Sequence, residues 1–415
     1  MTRIDAASPA RHSRRHSSSA AHPVPRVAVW IALVLALTLV LGVGAVAAAP
    51  LVSRLALRPS PAVSAGARKV HSQPATTATQ PVAAIPTATA ESASSAPATI
   101  TIAAVGDLLF DLGPRRLIAA QGGAAPLAKV ASRLRAADLT IANLETTLSN
   151  RGAAVTGKPA HLIFNGDPRG ILSLTTAGVD LVSIANNHAM DHGRLALTDT
   201  LAALDKARIG HAGAGMNTTA AWKPAIVTVK GRRIAYVAAT ENIPAHFLPS
   251  STRGGVANGN DLTRLVATVR AAHKQADIVI VSVHWGVEQS YTPTARQKHD
   301  ARALIDAGAD VVLSHHPHVM QGIDTYKGKL IAYSLGNFLF PYKTVAGRKS
   351  FILRFEYGRK GVANITAVPI YLGEWGRPVV QTGASARSIL GRLAAISKPM
   401  GTRLTIKGDI GYIKP

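Results

Sequence analysis

Ile278-Val279-Ile280-Val281-Ser282-Val283-His284-Trp285-Gly286 reads as a strand that ends in chemistry. A run of Ile and Val with no polar alternation describes a strand buried on both faces, as in a sheet covered by helices. His284 closes that run, and a lone histidine there is more often a satisfied core residue than a ligand. Four other segments repeat the pattern, however. Val105-Gly106-Asp107, Asn143-Leu144-Glu145, Ala185-Asn186-Asn187-His188-Ala189-Met190-Asp191 and Ser314-His315-His316-Pro317-His318 each follow a short apolar run. Oxygen and imidazole ligands from the ends of several strands are what a two-metal hydrolytic site needs, because no single element surrounds a metal pair.

Working outward, buried strands are expected at Ile100–Val105, Leu139–Ala142, Leu181–Ile184, Val311–Leu313 and Leu330–Ser334. Helical spacing covers Ala125–Ala136, Leu195–Lys206, Leu262–Gln275 and Gln297–Ala307. Lys230-Gly231-Arg232 turns one hairpin, and a second joins Phe351–Phe355 to Val362–Val368. Mixed βαβ units with hairpins predict α/β sheet layers covered by helices, with ligands at the carboxyl ends of the strands. The folded domain is expected over 99–370, with 371–415 either completing the fold or forming a variable tail.

The 415 residues carry a net charge of +24. Residues 1–99 account for +7 of it, which leaves +17 for the rest. A basic folded region favours polyanions, although a solvated basic surface explains the same charge. Nucleic acid is set aside as partner: there is no helix-turn-helix or zinc-finger spacing, and aromatics are only 5%, too few for a stacking surface. Cysteine is absent, which excludes disulfides and thiolate-bound zinc, so any metal is held by oxygen and nitrogen: Mn, Fe, Zn or Mg.

Residues 1–26 are polar and basic, and Val27–Ala49 then runs without a charge. As a helix that stretch is about 34 Å long, enough to span a bilayer. The basic flank stays in the cytoplasm under the positive-inside rule, placing all that follows outside the cell membrane as a single-pass protein. A cleaved signal peptide ending at Ala47-Ala48-Ala49 is the competing reading, and the long basic leader favours the anchor. Residues 50–98, rich in Ala, Pro, Ser and Thr, bury too little apolar surface to order and read as a disordered tether.

Taken singly, Gly106-Asp107 is more often a turn, and Asn143 more often a cap. Asn186-Asn187-His188 is stronger, because three polar residues close an apolar run and Asp191 stands ready to hydrogen-bond the imidazole and raise its pKa. Ser314-His315-His316-Pro317-His318 is the most specific, since three imidazoles within four positions rarely pack without a metal or anion between them. A solvent-facing His-rich turn is its bland alternative.

In order, Gly-Asp, Asn-Leu-Glu, Asn-Asn-His-x-x-Asp-x-Gly, His-Trp-Gly-x-Glu, His-His-Pro-His-Val and Tyr333-Ser334-Leu335-Gly336-Asn337-Phe338 resemble the CapA-type poly-γ-glutamate capsule biosynthesis family. That family looks like a branch of the calcineurin-like metallophosphoesterases. The resemblance implies a four-layer α-β-β-α sandwich holding one or two divalent ions. It implies metal ligands at Asp107, Glu145, Asn187, His284, His316 and His318, with His188 as general acid and Asp191 orienting it. Either Asn143 or Glu145 occupies the bridging position, and an anionic bridge favours Glu145. Asn143, Glu288, His315 and Asn337 are weaker candidates for substrate contact. Leu109 departs from the phosphoesterase pattern, which places a histidine there, so one metal is short of a ligand. Ser314 replaces a common glycine, and Gln289 a common aromatic.

Three functions are weighed on this basis. The first is a membrane-tethered component of acidic-polymer synthesis or export, binding poly-γ-glutamate and membrane subunits of a capsule synthase. The second is a stand-alone metal-dependent hydrolase, a phosphoesterase or amidase of the cell envelope. The third is a binding module with a degenerate site, which Leu109 supports.

Overall fold

Residues 98–414 are described by a computed structural model. The expected basic N-terminus (1–26), transmembrane helix (27–49) and tether (50–98, save its last residue) lie outside the described residues, as does Pro415. Among the described residues no helix is long and apolar enough to cross a membrane.

The principal strands, in chain order, are β1 (Ile100–Leu108), β2 (Leu139–Leu144), β3 (Leu181–Ser183), β4 (Gly210–Ala212), β5 (Ala225–Val229), β6 (Arg232–Thr240), β7 (Ile278–His284) and β8 (Val311–His315). There follow β9 (Ile323–Tyr326), β10 (Lys329–Ala332), β11 (Asn337–Leu339), β12 (Lys349–Gly358), β13 (Gly361–Leu372), β14 (Pro378–Val380), β15 (Arg403–Lys407) and β16 (Ile410–Lys414). The longer helices are α1 (Leu112–Gln121), α2 (Gly170–Ala177), α3 (Gly193–Lys206), α4 (Leu262–His273), α5 (Ala295–Asp306) and α6 (Gly383–Ser397).

The result is a mixed α/β fold with two large sheets. The ten-stranded sheet runs β15-β16-β13-β12-β1-β2-β3-β4, with β11 also pairing β1 and β14 pairing β13; the six-stranded sheet runs β9-β10-β8-β7-β6-β5. Parallel pairing holds along β1-β2-β3-β4 and along β6-β7-β8-β10, so these strands end at a common edge of each sheet. The two expected hairpins form as β5-β6 and β12-β13. Residues beyond Tyr371 extend the ten-stranded sheet, since β16 pairs with β13 at Ile365 and Ile413.

The unbroken apolar run of β7 has a structural reason. Ile278 and Ile280 join a core that also holds Ile102, Ile141 and Val182 of the ten-stranded sheet. Val279, Val281 and Val283 join a second core with Leu265 and Val269 of α4 and Leu304 of α5. Successive side chains of a strand alternate faces, so His284 shares the face of Ile278 and Ile280 and is directed toward the ten-stranded sheet. Helix α5 is started by a capping box in which Thr294 Oγ1 accepts from Gln297 N and Gln297 Oε1 accepts from Thr294 N.

Gly106 lies inside β1 and makes no turn there, contrary to the reading of Gly-Asp as a sharp bend. Its role is close approach: a Cβ would sit 1.8 Å from Gly336 O. This contact lets β11 pair with the end of β1, so Asp107 lies in register with Asn143 on one side and Asn337 on the other.

Candidate metal centre

Strand ends of both sheets meet at one buried cluster. The ten-stranded sheet contributes Asp107, Asn143 and, just beyond β2, Glu145; the loop after β3 adds Asn187, His188 and Asp191. The six-stranded sheet contributes His284 at the end of β7 and His315, His316 and His318 at and beyond the end of β8. Asp107, Asn143, Glu145 and Asp191 are wholly buried, and the four histidines of the second sheet are at most 7% exposed.

Two sets of donor atoms share one oxygen. Single ligand atoms of Asp107, Glu145 and His318 all lie within 4.8 Å of one another. Glu145 Oε1 is 3.8 Å from His318 Nε2 and 3.6 Å from His284 Nε2. His284 Nε2 in turn is 2.8 Å from Asn187 Oδ1 and 3.1 Å from His316 Nδ1. Asp107, Glu145 and His318 thus form one potential nest, Glu145, Asn187, His284 and His316 a second, with Glu145 between them. Asn143 is directed otherwise: its Nδ2 donates to Asp107 Oδ1 (2.9 Å) and reaches Glu145 Oε2 (3.4 Å), while its Oδ1 accepts from Asn186.

The chemistry of these donors fits a divalent cation. Asp107 Oδ2 and Glu145 Oε1 are buried without a hydrogen-bond partner among the described residues, an arrangement that costs several kcal/mol unless a cation compensates it. Burial works against ionisation of Asp107, but His315 and His318 outweigh it and hold the carboxyl well below its usual range. Burial pushes Glu145 well above that range, and the Asp107 carboxylate adds to the push. Two carboxylates driven apart in this way are like charges sharing one buried site, the arrangement that a cation between them relieves. Burial, then His316, lowers His284 well below the usual imidazole range, and burial, then His318, takes His316 down to about 3. Neutral imidazole is the form that binds a metal. His318 goes the other way: burial lowers it, but the nearby Asp107 carboxylate (Oδ2 3.6 Å from Nδ1) and Asn337 more than offset that.

Local backbone strain supports the same assignment. His316 (φ 95°) and His318 (φ 56°) both adopt the left-handed region, at a cost of about 1–3 kcal/mol each. Gln289 helps hold the turn, since its N–H donates to Pro317 O (2.8 Å) and its Nε2 donates to the Tyr342 hydroxyl (2.8 Å). The Tyr342 ring lies 5.3 Å from that of His318.

The weaker substrate-contact candidates divide. Glu288 is exposed in the loop after β7. Asn143, His315 and Asn337 are buried against the cluster instead. Asn337 Oδ1 is 2.8 Å from His318 Nδ1, and its Nδ2 donates to His318 O (3.2 Å) and Gly347 O (2.9 Å). His315 Nδ1 lies 3.1 Å from Asp107 Oδ1, off the line of a hydrogen bond, and neither ring nitrogen has a partner among the described residues. Leu109 is a fully buried core residue whose N–H donates to Leu339 O, so that position offers no ligand.

His188 Nδ1 is 2.7 Å from Asp191 Oδ2, as the spacing suggested. The expected rise in its pKa does not follow: burial outweighs the Asp191 bond, and the imidazole is lowered. Sequence reading did not single out Lys158, whose ammonium donates to Asp191 Oδ1 and to Asn187 O (2.9 Å). It stands in an irregular segment with no periodicity to mark it. Nor did it single out Phe164, whose ring packs 4.5 Å from that of His188.

The comparisons with known proteins point to the same family as the motifs. The chain is 29% identical over 321 residues to the capsule biosynthesis protein CapA of Bacillus anthracis, covering 76% of this chain and 77% of that protein. It is 31% identical over 272 residues to the PGA biosynthesis protein CapA of Bacillus subtilis, covering 65% and 71%. A Mycobacterium tuberculosis protein described as a polyglutamine synthesis accessory protein is 34% identical over 226 residues, covering 52% of this chain and 59% of that one. Among solved structures it is similar to the NAD nucleotidase of Haemophilus influenzae, with a TM-score of 0.38 and 15% identity over 72% of this chain and 56% of that one. The family model described as bacterial capsule synthesis protein PGA_cap matches residues 101–342, more than half of the chain. The chain therefore belongs to the PGA_cap family of CapA-type bacterial capsule synthesis proteins.

Proposed function

We propose that this protein acts in the synthesis or export of poly-γ-glutamate through a metal centre shared by its two sheets. The observation that carries the reading is Glu145 Oε1, buried, unpartnered and within 4 Å of imidazoles from two separate segments. Family membership supports the polymer, and the +17 charge beyond residue 99 suits a polycarboxylate. The two sheets, with α4 and α5 on one and α2 and α3 on the other, are read as the α-β-β-α sandwich of a metallophosphoesterase. Residues 27–49 are read as the membrane anchor that leaves this domain extracytoplasmic, where membrane subunits of a capsule synthase are its partners.

Asp107, Glu145, Asn187, His284, His316 and His318 would hold the ion or ions, from among Mn, Fe, Zn and Mg. A bound divalent ion supplies Lewis acidity toward a phosphoryl or acyl oxygen. The remaining chemistry belongs to the chain. Asp191 keeps the Nδ1 proton of His188 in place; Nε2 accepts from Asn187 Nδ2 (3.0 Å), and it is the atom that takes up or hands over a proton once a substrate displaces that amide. With its pKa lowered, His188 starts neutral and accepts before it donates. Phe164 and Phe340, 6.1 Å apart, keep water from the imidazoles they cover.

The same geometry favours a working hydrolase over an inert scaffold, because strain at His316 and His318 has no evident use in a site that does nothing. The test is hydrolysis of a generic phosphodiester and of a γ-glutamyl amide by the full-length chain with added Mn, beside His188→Asn. Metal-dependent turnover that His188→Asn abolishes while keeping its metal supports the reading; equal turnover in the variant contradicts it.

A further inference from the structure

We propose that Lys158 receives an oxyanion of the substrate at the mouth of the metal centre, an inference that rests on the reading of that centre as a working site. The lysine looks at first like a structural counter-ion for buried Asp191. Its hydrogen bonds say more. Asp191 Oδ2 lies 2.7 Å from His188 Nδ1 and also accepts from Phe164 N at 2.8 Å. A carboxylate oxygen that close to a ring nitrogen requires the proton on Nδ1, so this nitrogen has no lone pair to offer Lys158, 3.3 Å away. An ammonium has three N–H donors. Asp191 Oδ1 and Asn187 O take two of them, and the third has no acceptor among the described residues.

Lys158 is the most exposed member of this group. The Lys158 side chain is 14% exposed, against 0% for Asp191 and 5% for His188. Its bond to the backbone oxygen of Asn187 (2.9 Å), itself a proposed ligand, places the ammonium beside the centre. The segment that carries it is pinned: Val155 N–H donates to Asp191 O (2.9 Å), and Gly152 packs so tightly that a Cβ would meet His192 O at 2.0 Å. A fixed cation with one free N–H beside a metal centre suits a phosphoryl oxygen or a carboxylate of a γ-glutamyl chain, the two sharing the chemistry of an anionic oxygen.

The test uses the full-length chain loaded with Mn, inorganic phosphate as probe, and tri-γ-glutamate as competitor. Lys158→Met should weaken phosphate binding at least tenfold with metal per chain unchanged. Because that variant leaves Asp191 buried without its cation, Lys158→Met/Asp191→Asn is measured beside it and should show the same loss. Competition by tri-γ-glutamate assigns the oxyanion to a carboxylate, and its failure to compete assigns it to a phosphoryl group; both support the inference. Phosphate binding of wild-type strength in either variant overturns it, as does a wild-type chain that binds neither probe. A wild-type chain without metal would count against the centre itself, and the phosphate comparison in the same samples would still report on Lys158.

Discussion

The two sheets supply different chemistry to one place. The ten-stranded sheet brings carboxylates and amides, in Asp107, Asn143, Glu145 and Asn187, whereas the six-stranded sheet brings imidazoles, in His284, His315, His316 and His318. Neither half makes a metal site alone. The carboxylate half without imidazoles would leave two acids repelling each other, and the imidazole half alone would lack the anionic charge that balances a divalent ion. On the proposed reading, metal binding is coupled to the seating of one sheet against the other, which gives the comparison consequences for stability as well as chemistry.

The largest effect is expected where the backbone itself makes the seam. Gly106→Ala drives a methyl into Gly336 O and should cost about 3 kcal/mol or more, displacing Asn337 from Asp107. Thermal melting of the full chain with metal removed reads this directly; an unchanged melting temperature would show that the β1–β11 contact is slack. Next comes the shared oxygen. Chelation should destabilise the wild-type protein by about 2–3 kcal/mol at metal concentrations far above Kd, and should leave Glu145→Ala almost unaffected. Equal chelator sensitivity in both would mean that Glu145 joins nothing.

A supporting residue should matter less than a ligand. Asn337→Ala frees His318 Nδ1 and should lower metal affinity by about 10- to 100-fold, read by competition with a fluorescent chelator. If affinity stays at the wild-type value, His318 is held by its strained backbone alone.

The smallest effect concerns the edge of the imidazole sheet. Glu241, just beyond β6, is lifted to about 7 by burial, against which Arg296 works while Asp300 adds to it. Its folded-state pKa is thus above the unfolded value, so its stabilising contribution is complete below about pH 4.5 and is lost as pH rises through 7. Glu241→Gln should remove this dependence and narrow the stability difference between pH 5 and pH 8 by about 1 kcal/mol after solvent screening. Denaturant titration at the two pH values measures it, and an unchanged difference would place the titration elsewhere.

Much of this architecture was legible in the chain because buried parallel strands leave unbroken Val and Ile runs, and β7 and β8 each extend only one or two residues past their expected ends. Helices α3, α4 and α5 were visible for a similar reason, each burying one apolar stripe. The expected helix over Ala125–Ala136 is instead a 3-10 turn at Ala125–Leu127 and a short helix at Ala131–Arg135, joined by i to i−3 bonds around Ala128 and Val130. Helix α1 went unread: its start is set by Asp111 capping Leu112 N, and its arginines obscure the apolar stripe.

At the site, strand-end polarity marked which residues gather, since ligands must follow strands to reach a common edge. It could not mark how they divide the work. Asn143 and Asn337 hold carboxylate and imidazole from the strands beside Asp107, a relation set by register between distant segments. Lys158 reaches Asp191 from an irregular segment 33 positions earlier, and no local pattern foretells such a contact. The lowered pKa of His188 likewise depends on the depth of burial that Phe164 helps to create.

The most direct measurement is metal per chain for the full-length protein, after dialysis against micromolar Mn and Zn, in wild type and Glu145→Ala side by side. One or two equivalents in the wild type with loss in the variant is the result expected of a centre joined by Glu145 across the two sheets. A wild-type protein that keeps no metal, or a variant that keeps as much, would contradict it.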